Sequence, residues 1–260
     1  MMRGIWDREM VAVMLLVACL PLAGFWLAYG GTEALVRLVL VVLVLVVWHL
    51  VFLLARAQPP SLVAGITALA IAMLAPEDLG VFRLTLGISF GAVVGELIFG
   101  GWGRNVVNPA TVALSFLGFG FPGFGWPEFV APVAWAAIPA ALIGIAAGVM
   151  PAGVLLSAVL ALAAGFWAGA LSVTMVQVAG IVLVLLVADP VTSAATTLGR
   201  WLNGPLFAGL VTLFALHWTG AAPVQMAVAA ALLTSLTAPL LDEAALSLWL
   251  AKRRRRHGRT

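Results

Sequence analysis

The sequence predicts an all-α integral membrane protein of about ten transmembrane or re-entrant helices, with both termini in the cytoplasm. Of its 260 residues 64% are hydrophobic and only 9% charged, where soluble domains carry roughly 25% charged residues. The apolar runs are long and continuous, unlike the alternating strands of a membrane barrel. The basic residues also sort to alternate connections between the runs, as membrane topology requires.

Ten apolar segments follow one another: 10–29, 35–54, 60–75, 81–99, 107–120, 129–149, 152–170, 172–188, 204–219 and 222–241. The first follows Arg3 and Arg8, but Asp7 and Glu9 lie among them. The run is about 20 residues, long enough to span, so it reads as a helix and not as a signal peptide. The third, fifth, eighth and ninth are short for a crossing and are expected to be tilted, partial or re-entrant. The stretch 152–188 has no charge to divide it. As one helix it would be about 55 Å long, so a break is expected near Gly169 to Ser172. Residues 1–250 read as one polytopic membrane domain, and 251–260 as a basic cytoplasmic tail.

With the N-terminus inside and ten crossings, Arg3, Arg8, Arg56, Arg104, Arg200 and the C-terminal basic residues fall in the cytoplasm. Only Arg37 and Arg83 fall outside, near Glu33, Glu77, Asp78 and Glu128. The run Lys252-Arg253-Arg254-Arg255-Arg256 fixes topology and meets anionic lipid at roughly 1 kcal/mol per basic residue. No aromatic-interleaved basic domain accompanies it, so nucleic acid is not an expected partner. The single cysteine, Cys19, excludes an internal disulfide and cannot hold an iron–sulfur cluster alone.

Two stretches share the pattern Asn/Asp-Pro-x-Thr-x-Ala: Asn108-Pro109-Ala110-Thr111-Val112-Ala113 and Asp189-Pro190-Val191-Thr192-Ser193-Ala194. Proline donates no N–H and biases the preceding residue away from α geometry. Broken backbone at membrane depth survives only where protein or a polar cavity covers it. One reading is therefore a pair of interrupted segments meeting at a binding site, as in internally repeated transporters. The other is two ordinary helix starts, each with an Asn or Asp cap and Pro at the first helical position. Both motifs fall on the cytoplasmic side by the charge count, so two inverted five-helix halves would not place them at equivalent positions. On the first reading Asn108 and Asp189 line one polar cavity.

The block Leu86 to Ala110, containing Phe99-Gly100-Gly101-Trp102-Gly103-Arg104-Asn105 and then Asn108-Pro109-Ala110, resembles the B subunit of the sodium-translocating NADH:quinone reductase and the D subunit of the Rnf complex. The Asp189 stretch, with Gly199-Arg200-Trp201 after it, is similar to that family's second signature. Thr237-Ala238-Pro239-Leu240-Leu241-Asp242 resembles its closing one. The resemblance covers most of 60–256. It implies a ten-helix bacterial inner-membrane subunit of a flavin redox complex that moves Na⁺ or H⁺, with membrane, flavoprotein and iron–sulfur subunits as partners. It also implies an FMN joined by a phosphoester to a Thr in a Gly-Ala-Thr-type motif after the Asn-Pro-Ala helix. Here the sequence departs from the family: between Ser115 and Ser157 there is no Ser, Thr or Tyr. No covalent FMN is expected, and any flavin or quinone is non-covalent or carried by a partner.

The candidate cofactor-binding residues are Gly100, Gly101, Gly103, Arg104, Asn108, Thr192, Thr196 and Arg200, and the candidate ion-path residues are Glu96 and Asp189. The glycines allow positive φ or close backbone approach, or simply tight helix packing. Arg104 and Arg200 read as topology anchors or as anion contacts. Glu96 lies within an apolar segment, where a charge costs roughly 2.5–3.5 kcal/mol at the helix centre. It is either a cation or proton site, or a residue that snorkels or pairs with Arg104. His49 and His217 read as interface histidines before haem ligands. Trp6, Trp102, Trp126 and Trp201 near segment ends read as the aromatic belt. No catalytic or metal-ligating set is assigned. The function expected is that of an accessory subunit in an Rnf- or Nqr-like redox-driven ion translocase. The competing readings are a stand-alone small-solute channel or transporter on the same frame, and a structural subunit of a larger complex.

Overall fold

The computed structural model describes residues 7–257, and the side chains of 7–253. Arg3 and Trp6, used above for topology and the aromatic belt, lie outside the described residues, as do 258–260 of the basic tail. Every described element is helical. Three helices are long and apolar enough to cross a membrane: Arg8–Arg56, Gly80–Phe99 and Pro223–Arg253. Shorter apolar helices run over Ala64–Leu74, Pro109–Gly120, Ala131–Ala146, Ala152–Trp167 and Val173–Val187.

Helix α1 (Arg8–Arg56) holds the first two sequence segments, and its geometry breaks at Gly31, with φ 57° and ψ −141°. Only glycine adopts that conformation without strain. Unbroken, α1 would be about 73 Å long. Its two ends instead meet. The Arg8 guanidinium lies 5.9 Å from the Trp102 ring centroid, Arg56 Nη1 reaches Ile98 O at 3.5 Å, and Glu9 Oε2 accepts from Leu62 N at 3.1 Å. The chain therefore reverses at Gly31 into two antiparallel arms. These define two ends of the molecule, the Arg8 end and the Gly31 end.

Helix α2 (Ala64–Leu74) starts beside Glu9 and finishes where Arg37 Nη2 donates to Ala75 O at 2.5 Å and Pro76 O at 2.6 Å. Every residue from Ile66 to Leu74 is buried. A helix apolar all round has no polar face to turn to water, and here its neighbours enclose it. Helix α3 (Gly80–Gly95) returns to the Arg8 end and closes with a 3₁₀ turn at Leu97–Phe99. Helix α4 (Pro109–Gly120) runs back beside it. The two touch through Gly87, Gly91 and Gly95: a Cβ on Gly91 would lie 2.6 Å from Pro109 O and 2.8 Å from Ala113 N. Small residues admit this backbone approach in a membrane, where packing must replace hydrophobic drive.

Short α5 (Ala131–Trp135) and α6 (Ala137–Ala146) share the sixth predicted segment, interrupted at Ala136. Helix α7 (Ala152–Trp167) is followed by Gly169 at φ 73° and by Ser172, which caps α8 (Val173–Val182). The expected break in 152–188 lies there. A π-helical turn, Leu183–Val187, extends α8, and Ile181 to Ala188 are buried throughout. With α2 this makes a second interior helix. Helix α9 (Thr197–His217) starts seven residues before the predicted segment, because Thr196 caps it and polar Thr197–Asn203 is already helical. It runs parallel to α7, with Gly153 against Arg200, Gly204 against Ser157 and Gly165 against Thr212. Helix α10 (Pro223–His257) starts at the Gly31 end, where Gln225 meets Gly118, and continues without a break through Lys252 to His257. The basic run is helical as far as His257.

Candidate functional site

The two Pro motifs meet directly. Asn108 Nδ2 donates to Asp189 Oδ2 at 3.2 Å across 81 residues of chain. Their local roles differ. Asn108 caps α4, its Oδ1 accepting from Ala110 N at 2.9 Å, with Pro109 at the first position. So Asn108 is a helix cap and a cross-link at once. Asp189 starts no helix. It closes a turn by accepting from Val191 N at 3.0 Å, and its other oxygen accepts from Thr192 Oγ1 at 3.2 Å. The shared pattern thus encodes two different backbone structures joined at one carboxylate.

A void of about 20 Å³ adjoins this contact, bordered by Asn108 and Asp189 with Thr67 and otherwise apolar residues such as Cys19, Ile66 and Val184. Both side chains border this one void, as expected, but it is small and mostly apolar. The two side chains close on each other and leave room for about one water.

Glu96 is 2% exposed. It neither snorkels nor pairs with Arg104. Its Oε1 accepts from Trp102 N at 3.1 Å and lies 3.8 Å from His49 Nε2, while His49 Nδ1 sits 2.9 Å from Leu45 O. His49 is thus a buried partner of Glu96, and His217, at the opposite end of the molecule, forms no pair with it. Trp102 is 4% and Trp126 9% exposed. Neither belongs to an aromatic belt, because the loops that carry them fold inward over helix ends; Trp201 is exposed at 46%.

Gly100, Gly101 and Gly103 have φ of 100°, 92° and 95°, so the sequence Gly-Gly-Trp-Gly is dictated by backbone geometry. A Cβ on Gly101 would lie 2.7 Å from the end of the Gln58 side-chain amide and 3.3 Å from Arg8 Nη2. Asn105 pins the loop by accepting from Gly103 N and donating to Val107 O, at 3.1 and 3.2 Å. Arg104 folds its guanidinium over Gly100.

Thr196 belongs to a second carboxylate, which the sequence reading did not place in a site. Asp242 of α10 accepts from Ala195 N (2.8 Å), Thr196 N (2.8 Å) and Thr196 Oγ1 (2.6 Å). The Thr196 hydroxyl also accepts from Gly199 N at 3.1 Å to cap α9. Arg200 Nε donates to Ala194 O at 3.2 Å. Asp242 therefore clamps the turn that Asp189 opens. Its only sequence signal is the closing Ala-Pro-Leu-Leu-Asp pattern.

Several of the eight candidate cofactor residues are already hydrogen-bonded within the chain. Thr192 and Thr196 are committed to Asp189 and Asp242, Arg200 to a carbonyl, and the void beside Asn108 is far smaller than an isoalloxazine. The two larger hollows lie elsewhere. One, of about 590 Å³ at the Gly31 end, is bordered by Trp26, Glu33, Arg37, Glu77 and Asp78. The other, of about 520 Å³, is an apolar groove between α6, α7 and α8 with Gln177 as its one polar side chain. Among the described residues no group of three or more His, Cys, Asp or Glu is placed to hold a metal ion.

The sequence matches the NQR2, RnfD, RnfE family over residues 5–185. It is 39% identical over 72 residues to the B subunit of the Na(+)-translocating NADH-quinone reductase of Yersinia pestis, which is 28% of this chain and 17% of that one. The corresponding protein of Stutzerimonas stutzeri (strain A1501) is 38% identical over 72 residues, 28% and 18% of the two chains. That of Haemophilus influenzae (strain PittEE) is 33% identical over 96 residues, 37% and 23%. The similar stretch spans about a fifth of the length of these relatives.

Proposed function

The chain belongs to the NQR2, RnfD, RnfE family, and from that premise we propose that it is a membrane subunit of an Nqr- or Rnf-type complex in the bacterial inner membrane, serving redox-coupled movement of Na⁺ or H⁺. The observation that carries this reading is the Asn108–Asp189 hydrogen bond. It sets a carboxylate between the start of α4 and the turn that follows α8, inside an apolar protein, where polar helix ends can hold a cation. The adjoining void of about 20 Å³ favours an ion or proton over a larger solute, which counts against a stand-alone solute channel.

The chain makes ten passes in this reading: two in α1, one each in α2, α3 and α4, one in α5 with α6, and one each in α7 to α10. The Arg8 end is cytoplasmic. Arg8, Arg56, Arg104 and Arg200 gather there, whereas Arg37 and Arg83 lie at the Gly31 end with Glu77 and Asp78. A C-terminal reporter is expected to be active only when it is of a kind that works in the cytoplasm. Activity from a periplasm-only reporter would refute the even number of passes.

The subunit carries no covalent FMN in this reading, since Phe116 to Leu156 offers no hydroxyl side chain. The chain's own residues supply the frame and the ion path, and electron carriers sit on partner subunits. Purification of the tagged chain from its native membrane tests both points. Flavoprotein and iron–sulfur subunits are expected to co-elute, and a denaturing gel under ultraviolet light is expected to show no flavin band at about 27 kDa. A chain eluting alone would sink the complex, and a fluorescent band at that mass would sink the assignment of the flavin to partners.

A further inference from the structure

The face of α4 opposite α3 carries polar groups with nothing to bond. Pro109, Ala113 and Leu117 face the glycines of α3. Thr111, Ser115 and Gly118 lie on the other side of α4, the positions that follow Asn108 at helical spacing. Thr111 is fully buried and Ser115 is 8% exposed, and neither hydroxyl has a hydrogen-bond partner among the described residues. Buried hydroxyls in an apolar interior are costly unless something satisfies them.

Two small voids adjoin the ends of this face. The first, of about 20 Å³, is bordered by the polar side chains Thr67, Asn108 and Asp189. The second, of about 10 Å³, is bordered by Ser115, Trp126 and Gln225 at the Gly31 end. The Trp126 indole N–H is likewise buried and unpartnered. Each void is about the size of one water, and each offers three polar side chains, the number a buried water usually finds. Thr111 stands between the two voids and borders neither, and side chains three and four apart on a helix stand about 5–6 Å from each other. That is too far for a direct hydrogen bond and matches the span of two bonds through one bridging water.

We infer that the α4 face Asn108–Thr111–Ser115, with the two voids, forms a water-threaded proton path from the Asp189 carboxylate to the Gly31 end, where Trp126 and Gln225 border its outlet. This rests on the reading of the chain as an ion-translocating subunit, and names H⁺ as the ion that takes this route. A proton taken up by Asp189 from the Arg8 end passes to the water in the first void. Each hydroxyl or water then accepts one proton on a lone pair and releases its own, so one H⁺ enters, one leaves, and the chain is unchanged. A sodium ion in the same seam would need six or so oxygen ligands and more room than either void holds.

The test is the intact complex in sealed membrane vesicles, with proton movement read by a pH-sensitive dye and sodium uptake read separately. Thr111→Val combined with Ser115→Ala is expected to slow donor-driven proton movement at least tenfold, while Thr111→Ser with Ser115→Thr retains it. If wild type and the apolar variant move protons at equal rates, or if wild type moves sodium alone, the path is overturned and the ion-translocating reading stands. If wild type moves no ion at all, that reading itself fails, and the path with it. Thermal unfolding gives an independent arm. Were the hydroxyls dry and unpartnered, Thr111→Val would be neutral or stabilising; a lower unfolding temperature is the result expected if Thr111 holds a water, and an unchanged or raised one overturns the path.

Discussion

Asp189→Ala is expected to lower the stability of the chain by about 3 kcal/mol and to abolish ion movement by the complex. The substitution strips the acceptor from Asn108 Nδ2, Thr192 Oγ1 and Val191 N together. Each hydrogen bond to a charged group contributes roughly 1.5–3 kcal/mol, and removal of the carboxylate's own burial cost offsets part of the sum. Asp189→Asn should fall between alanine and wild type. Its amide oxygen can take the Oδ1 place and accept from Val191 N, leaving its nitrogen against the Asn108 nitrogen, or the Oδ2 place and accept from Asn108 and Thr192, leaving its nitrogen against the Val191 N–H; either way a donor meets a donor. Thermal unfolding of the solubilised complex and vesicle ion uptake measure the two effects. Wild-type unfolding and uptake in the alanine variant would show that the contact does neither job.

Gly204→Ala is expected to be as damaging although it adds one methyl group. The new Cβ would overlap Ser157 Oγ and stand 2.5 Å from both Ala158 N and Val154 O. The serine can rotate away, but the other two atoms are α7 backbone, so α7 and α9 must separate along their length. Overpacking of this kind costs typically about 1–3 kcal/mol, and the backbone obstruction places this site at about 3 kcal/mol. Gly209→Ala, in the same helix, meets nothing within 4 Å. It should be neutral or stabilising by roughly 0.5–1 kcal/mol, the helical cost of glycine relative to alanine. Thermal unfolding of the pair of variants separates packing from propensity. Equal unfolding temperatures would mean that α7 and α9 do not touch at Gly204.

What could be read from the sequence is what local chemistry writes down. The Pro motifs, the break between Gly169 and Ser172 and the positive-φ glycines at 100, 101 and 103 follow from residues close in sequence, and the structure carries each of them. Partners across the bundle follow no such pattern. Nothing near Glu96 announces His49, which reaches it from the second arm of α1. Thr192 and Thr196 look alike in sequence, yet they serve different carboxylates, because the chain turns between them and α10 brings Asp242 to one side only. Trp102 and Trp126 near apolar ends resemble belt residues, since distance from a segment end carries no information about which way a loop folds. The start of α9 was hidden for a related reason: Thr197 to Asn203 is too polar to register as apolar, but Thr196 supplies the cap and the helix begins there.

The reversal at Gly31 also bears on how the chain is made. The two arms of α1 are separated by a single non-helical residue, so there is no external loop to thread through the translocation machinery ahead of the second arm. The polar matter carried across with the turn is small: the Gly30–Thr32 backbone, the Thr32 hydroxyl and the Glu33 carboxylate, with Arg37 about one turn further on. Two apolar arms tied this closely partition into the bilayer as one hairpin, late enough in synthesis for both to be present and in a single step. The two arms then form a template against which α2, apolar throughout but only 11 residues long and too short to span on its own, can be laid down as it emerges.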